Sequence, residues 1–245
     1  MSGHSKWSTI KHKKASTDKK RADLFSKLAR EITIAARQGG GDIETNYVLR
    51  GVAEKARGFN MPKENIERAI KKGAGEDTDE LLEELLMEAY GPGGVALLIE
   101  GITDNRNRTT NEIKSTLTKN GAKPVEEGSV KWLFERKLSL GVPLHQVENR
   151  DEFELMAIDA GVEDIIWPQD EKDEDAEILL DTKPETLRGA MNVLGKKGFT
   201  DITTHLEWVA KDKVALHEIQ KEKLQKLYDA LSELDDVQEI YTNAA

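Results

Sequence analysis

At 245 residues, with 38% hydrophobic residues and four Trp, the chain can bury a real core, as one large domain or two to three small ones. The net charge of −10 argues against a nucleic-acid binder only until it is resolved by region: residues 1–75 hold 17 Lys/Arg against 8 Asp/Glu, or +9, and the remainder carries −19. The absence of cysteine excludes disulfides and thiolate metal sites, and no run approaches a membrane span. With a Debye length of about 8 Å at physiological salt, an acidic body cannot cancel a basic patch tens of Å away. A basic end can therefore bind a polyanion, unless it docks on its own acidic body. The opening residues lack the apolar core of a signal peptide and pass directly into a patterned helix, so the expected location is the cytoplasm.

In the opening stretch Lys6, Lys11, Lys13, Lys14, Lys19, Lys20 and Arg21 are interleaved with His4, Trp7 and His12. Cationic groups suit phosphates, and flat rings suit bases. Ser16 or Thr17 is expected to cap a helix that runs to about Gln38, where Gly39-Gly40-Gly41 stops it. Leu24, Phe25, Leu28, Ile32 and Ala35 share one sector of that helix, and Lys20, Lys27, Arg30 and Arg37 another, giving a core face and a basic face. A second helix fits Asn46 to Gly58, and a third runs from Pro62 to Gly73, with Glu64–Arg68 and Glu67–Lys71 as i,i+4 pairs. Residues 73–79 read as the exit linker of a small helical domain.

The pattern then becomes strand-like. Leu85 to Tyr90 and Val95 to Ile102 read as strands joined by Gly91-Pro92-Gly93-Gly94; no Lys-Ser/Thr follows, so a hairpin is favoured over a phosphate cradle. Asp104 or Asn105 caps the next helix, which runs to Asn120 and carries Arg106 and Arg108 at its positive end, where cations are unfavourable. Two readings stand: a candidate anion site, or an arginine fork on a carboxylate of the acidic body. From Val130 the order is strand 130–140, helix 150–160, strands 163–167 and 176–181, a helix from Pro184 to about Gly198 and strand 200–209. That is the ferredoxin-like order β-α-β-β-α-β. The acidic run Asp170 to Asp175 lacks calcium-loop spacing and reads as solvated. A last helix, 218–234, and a strand, 237–241, have no partner in that unit, while residues 80–130 lack one helix and one strand.

The expected fold class is therefore α+β: an N-terminal three-helix domain, then two ferredoxin-like α/β domains, the last inserted in the middle one. The boundaries are 1–75, 76–130 with 211–245, and 131–210. His4, His12, His145, His205 and His217 show no zinc spacing, and no nucleophile elbow, Walker loop or dinucleotide fingerprint appears, so neither an enzyme nor a metal or other cofactor is expected.

The words GHSKW…IKHKKA, F-x-KL-x-REI-x-x-AAR-x-GG-x-D, NMPK-x-NIERAIKKG-x-G and YGPGGVALLIE-x-x-TDNRNRT resemble those of the YebC/PmpR family. The resemblance covers almost the whole chain, most densely residues 3–75 and 90–109. It implies three domains, a helical one and two α/β domains around a cleft. It also implies either a DNA-binding transcriptional regulator or a translational activator that works with ribosomes at proline-rich stalls. The shared positions are Gly3, His4, Ser5, Lys6, Trp7, Lys11, His12, Lys14, Ala15, Asn60 to Lys63 and Thr103 to Thr109. Arg21-Ala22-Asp23 stands where the family usually has Arg-Gly-Lys, which removes one cation, and Asp42-Ile43 and Asn46-Tyr47 stand where proline often follows.

The expected function is a non-enzymatic regulator that binds nucleic acid through His4, Lys6, Trp7, Lys11, His12, Lys13, Lys14, Lys19, Lys20, Arg21, Lys27, Arg30 and Arg37. The partner is DNA or, alternatively, ribosomal or transfer RNA on the ribosome. A third reading is a protein-interaction scaffold with an acidic peptide near Arg106 and Arg108. The sequence leaves the oligomeric state open.

Overall fold

Three helices, α1 (Asp18–Gly39), α2 (Tyr47–Gly58) and α3 (Lys63–Gly73), form a layer in the computed structural model, which describes residues 18–75, 82–168, 171 and 176–245. Leu28, Ile32, Ala35 and Ala36 of α1 meet Leu49, Ala53, Ala56, Ile66 and Ala69, as the periodicity of those positions predicts. One side chain closes two helix ends. Asn46 Oδ1 accepts the N–H of Leu49 at 3.0 Å to cap α2, while its Nδ2 donates to the carbonyls of Ala35 and Gly40, both at 2.8 Å. Helices α1 and α3 touch backbone to backbone, because a Cβ on Gly73 would run into the carbonyl oxygen of Thr33. The predicted cap at Ser16 or Thr17 lies outside the described residues.

The chain continues as β1 (Glu83–Tyr90), β2 (Ala96–Thr103), α4 (Arg106–Lys119) and β3 (Lys123–Val125), and returns near its end as α7 (Glu218–Ser232) and β8 (Val237–Thr242). The strands form an antiparallel sheet in the order β3-β1-β2-β8. Leu85, Met87, Leu97, Ile99, Val237 and Ile240 pack on Ile113 and Leu117 of α4 and on Leu224, Leu227 and Leu231 of α7. The register of β2 against β8 slips between Glu100 and Gly101, and the Asp236 carbonyl takes the Ile102 N–H at 2.9 Å. A Cβ on Gly101 would sit 2.8 Å from that carbonyl oxygen, so glycine is what lets the strand end come so near.

Between β3 and α7 lie β4 (Phe134–Pro143), α5 (Arg150–Asp159), β5 (Asp164–Ile166), β6 (Glu177–Thr182), α6 (Pro184–Lys196) and β7 (Thr203–Ala210). Their antiparallel sheet has the order β5-β6-β4-β7, the ferredoxin-like arrangement. Leu138, Leu140, Val142, Ile178 and Leu180 pack on Phe153 and Ala157 of α5 and on Leu187, Ala190 and Leu194 of α6. Phe153 also meets Trp167 and Phe199 edge to face, with ring centroids 6.0 and 5.4 Å away. The strand read from Val130 begins only at Phe134, after a 3-10 turn at Lys131–Leu133. The reason is Glu88: its buried carboxylate takes the N–H groups of Gly128, Val130 and Lys131 at 2.6, 2.6 and 3.0 Å, which diverts them from a ladder. Burial pushes the Glu88 carboxyl up, but those three bonds and the Lys131 charge hold it below its usual value.

Contacts divide the chain into two compact units. One comprises Arg136–Trp208; the other joins the helical layer and first sheet, up to Glu135, with Val209–Ala245. Alanine is a better helix former than glycine by about 1 kcal/mol. Gly73→Ala is nevertheless expected to lower stability by ~1–3 kcal/mol, because the new methyl pries α3 from Thr33. An unchanged urea midpoint, followed by helical circular dichroism, would contradict this close approach.

Candidate nucleic-acid interface

Of the predicted contact residues, His4, Lys6, Trp7, Lys11, His12, Lys13 and Lys14 lie outside the described residues. Lys19 and Lys20 fall in the first turn of α1, and Arg21 follows them with its side chain exposed. The other three cations point elsewhere. Lys27 is 8% exposed and donates from Nζ to the Ser232 carbonyl at 2.8 Å. Arg30 donates to the Asp235 carbonyl and pairs with Asp236 at 3.0 Å, and Arg37 donates to the Leu82 carbonyl at 2.7 Å. Ser232 ends α7, so Lys27 meets a carbonyl that a helix terminus leaves without an intrahelical partner, at the negative end of its dipole. Ile34, in the same stripe of α1, packs on Leu82 and Ile102. The stripe read as a basic face is thus where α1 joins the first α/β sheet.

A second bridge lies alongside. Lys55 of α2 reaches Glu31 at 3.1 Å and Glu239 of β8 at 3.5 Å. Burial pushes the Lys55 ammonium down, but the two carboxylates outweigh it and hold the pKa well above its ordinary value.

Arg108 meets Arg30 at the same carboxylate. Asp236, whose side chain is 5% exposed, takes Arg108 at 2.7 Å on Oδ2 and Arg30 at 3.0 Å on Oδ1. The hydroxyls of Thr103, at 3.1 Å, and Thr109 also donate to Oδ2. Burial pushes this carboxyl up, yet the bonds from Thr109 and Arg108, the Arg30 charge and the Thr103 bond prevail and hold it below the usual carboxylate range. Arg108 also reaches Asp104 at 2.8 Å, and its backbone N–H is accepted by the cap residue Asn105 at 3.1 Å. Arg106 lies 3.6 Å from Glu83 and donates to the Glu84 carbonyl at 3.2 Å. Carboxylates therefore account for two arginines set against the helix dipole.

On the helical layer, Arg57, Arg68 and Lys71 are exposed, and Lys63 pairs with Glu67 at 3.6 Å. In sequence, Glu64 and Glu67 at i−4 gave Arg68 and Lys71 a local explanation, while Arg57 has no acidic residue at i±4. Among the described residues no cluster of three or more His, Cys, Asp or Glu is placed to hold a metal ion, and no helix is long and apolar enough to cross a membrane.

Residues 5–76 match the TACO1/YebC protein N-terminal domain, and residues 82–244 match the TACO1/YebC second and third domain. A protein of Fervidobacterium nodosum named "Probable transcriptional regulatory protein" is 47% identical over 99% of this chain and 93% of its own. One of the same name from Kosmotoga olearia is 46% identical over 99% and 94%. The crystal structure of a conserved hypothetical protein from Aquifex aeolicus superposes with a TM-score of 0.84 at 43% identity, covering 98% of this chain and 97% of that one.

Because Asp236 has a lower pKa folded than unfolded, its stabilisation is complete above the unfolded value of about 3.9 and is lost as pH falls through the folded value. Asp236→Asn is expected to cost about 2–3 kcal/mol at pH 7. The gap between variant and parent should narrow below about pH 4. A gap that stays constant in urea titrations from pH 7 to pH 3 would show that the charge is not what holds this junction.

Proposed function

Because the chain belongs to the TACO1/YebC family, we propose that it is a non-enzymatic regulator of gene expression that binds nucleic acid, with DNA as the first candidate. The observation that carries this reading is the electrical division of the chain, +9 over residues 1–75 and −19 over the rest. A polyanion is drawn to one end and repelled by the other. Since Lys27, Arg30 and Arg37 serve internal acceptors, the contact is assigned to His4, Lys6, Trp7, Lys11, His12, Lys13, Lys14, Lys19, Lys20 and Arg21. The outward cations Arg57, Arg68 and Lys71 of the helical layer extend it. Phosphate contacts give affinity without reading sequence, and the sequence carries no recognised base-reading motif, so weak sequence preference is expected. The names carried by the relatives support a regulator at this coarser level.

Trp7 beside Lys6 favours a second reading, in which the same end stacks on an exposed base of ribosomal or transfer RNA and the protein works in translation. Co-sedimentation with ribosomes, lost when Trp7→Ala and Lys6→Ala are combined, would select that reading.

For the first reading, replacing Lys11, Lys13 and Lys14 by Ala is expected to weaken duplex DNA binding and to lower the salt slope by up to ~0.9 per lost phosphate contact. Lys27→Ala and Arg37→Ala are expected to lower stability and leave that slope unchanged. An unaltered slope in the triple variant would reject the proposed surface.

A further inference from the structure

We propose that the outward face of α5 is a docking site for a Lys/Arg-rich amphipathic helix of a protein partner. Helix α5 covers its own sheet with Phe153 and Ala157, which are buried. Its far side should then be polar. Instead Leu155 and Ile158 stand there 65% and 61% exposed, three residues apart and therefore neighbours on the helix surface. They are ringed by exposed Asp151, Glu152 and Asp159. The first two sit in the opening turn, where the helix dipole favours them. Asp159 does not: it lies at the negative end, and the last turn holds no basic residue.

The cation of the helix, Arg150, is turned aside. Its guanidinium stacks 4.5 Å from the Trp167 ring and pairs with Glu171 at 2.6 Å, which holds that carboxylate beside the same helix. Residues 136–208 as a whole carry 8 Lys/Arg against 17 Asp/Glu. Charge selects the occupant. A nucleic acid or an anionic lipid surface is repelled, and a second copy docking this face on itself would oppose like charges. A helix with apolar residues at i, i+3 and i+4, flanked by lysines or arginines, covers Leu155 and Ile158 and answers the carboxylate ring. This surface is independent of the nucleic-acid reading and lies on α5 rather than on the basic layer.

The test uses the full chain and a synthetic Lys/Leu peptide with its leucines at i, i+3, i+4 and i+7. A scrambled peptide of the same composition serves as control. The patterned peptide should bind the parent more tightly than the scrambled one. Leu155→Ser with Ile158→Ser, at solvent-exposed positions that leave the fold intact, should weaken it by about tenfold or more. Asp151→Lys with Asp159→Lys should weaken it too and flatten its salt dependence. Equal binding of the scrambled peptide, or full binding to the serine variant, would overturn the proposal. So would concentration-dependent self-association of the parent that the serine substitutions abolish, since a second copy would then be the occupant.

Discussion

The Asp236 carboxylate is the point on which the larger unit depends. A charge with so little access to water is tolerated only when its lone pairs are met, and here two guanidiniums and two hydroxyls meet them. The donors come from α1, from the end of β2 and from the first turn of α4, while Asp236 itself leads into β8. One residue therefore ties the helical layer to a sheet whose strands come from distant parts of the chain. Gly101 permits this geometry, because its missing side chain lets the Asp236 backbone approach and bond to Ile102.

That junction changes what the charge of α1 means. The helix is buried on two sides, by α2 and α3 on one and by the first sheet with the end of α7 on the other. Lys27, Arg30 and Arg37 line the second side, and each donates to a backbone carbonyl there. A carbonyl cannot repel an incoming phosphate as a carboxylate does, nor can it release a cation without losing a bond. The proposed polyanion contact therefore rests on the cations ahead of this stripe in sequence and on Arg57, Arg68 and Lys71, which are exposed on α2 and α3.

The remaining unit follows a different electrostatic rule. Its sheet holds ionic groups in closed sets, such as Asp181 with Lys137 and Ser139 at 3.0 and 2.7 Å, and Glu177 with Thr203 and His205 at 2.9 and 3.0 Å. Gly141 makes room for the latter, since a Cβ there would collide with Thr203 and lie 2.6 Å from Glu177. Of the two helices of this unit, among the described residues, it is α5 that sets large exposed aliphatic side chains, Leu155 and Ile158, beside carboxylates. An acidic unit with one apolar helix face and a basic layer with outward cations present surfaces of opposite character within one chain.

By itself the sequence determined the order of the elements, the α+β class and the family, because periodicity, capping residues and the glycine stops act within a few residues of one another. Asn46, Asn105 and Pro184 open helices where local chemistry places them. The same periodicity put Lys27, Arg30 and Arg37 in one stripe but could not say what faces it, because their acceptors at Ser232, Asp235 and Leu82 lie far away in sequence. Nor could it separate Asp236 from the other carboxylates, or foresee that Glu88 would capture the amides before β4 and shorten that strand. Those outcomes were decided by tertiary structure, since which donor meets which acceptor depends on packing distant segments together, and a buried charge must find its partners there or not be buried at all.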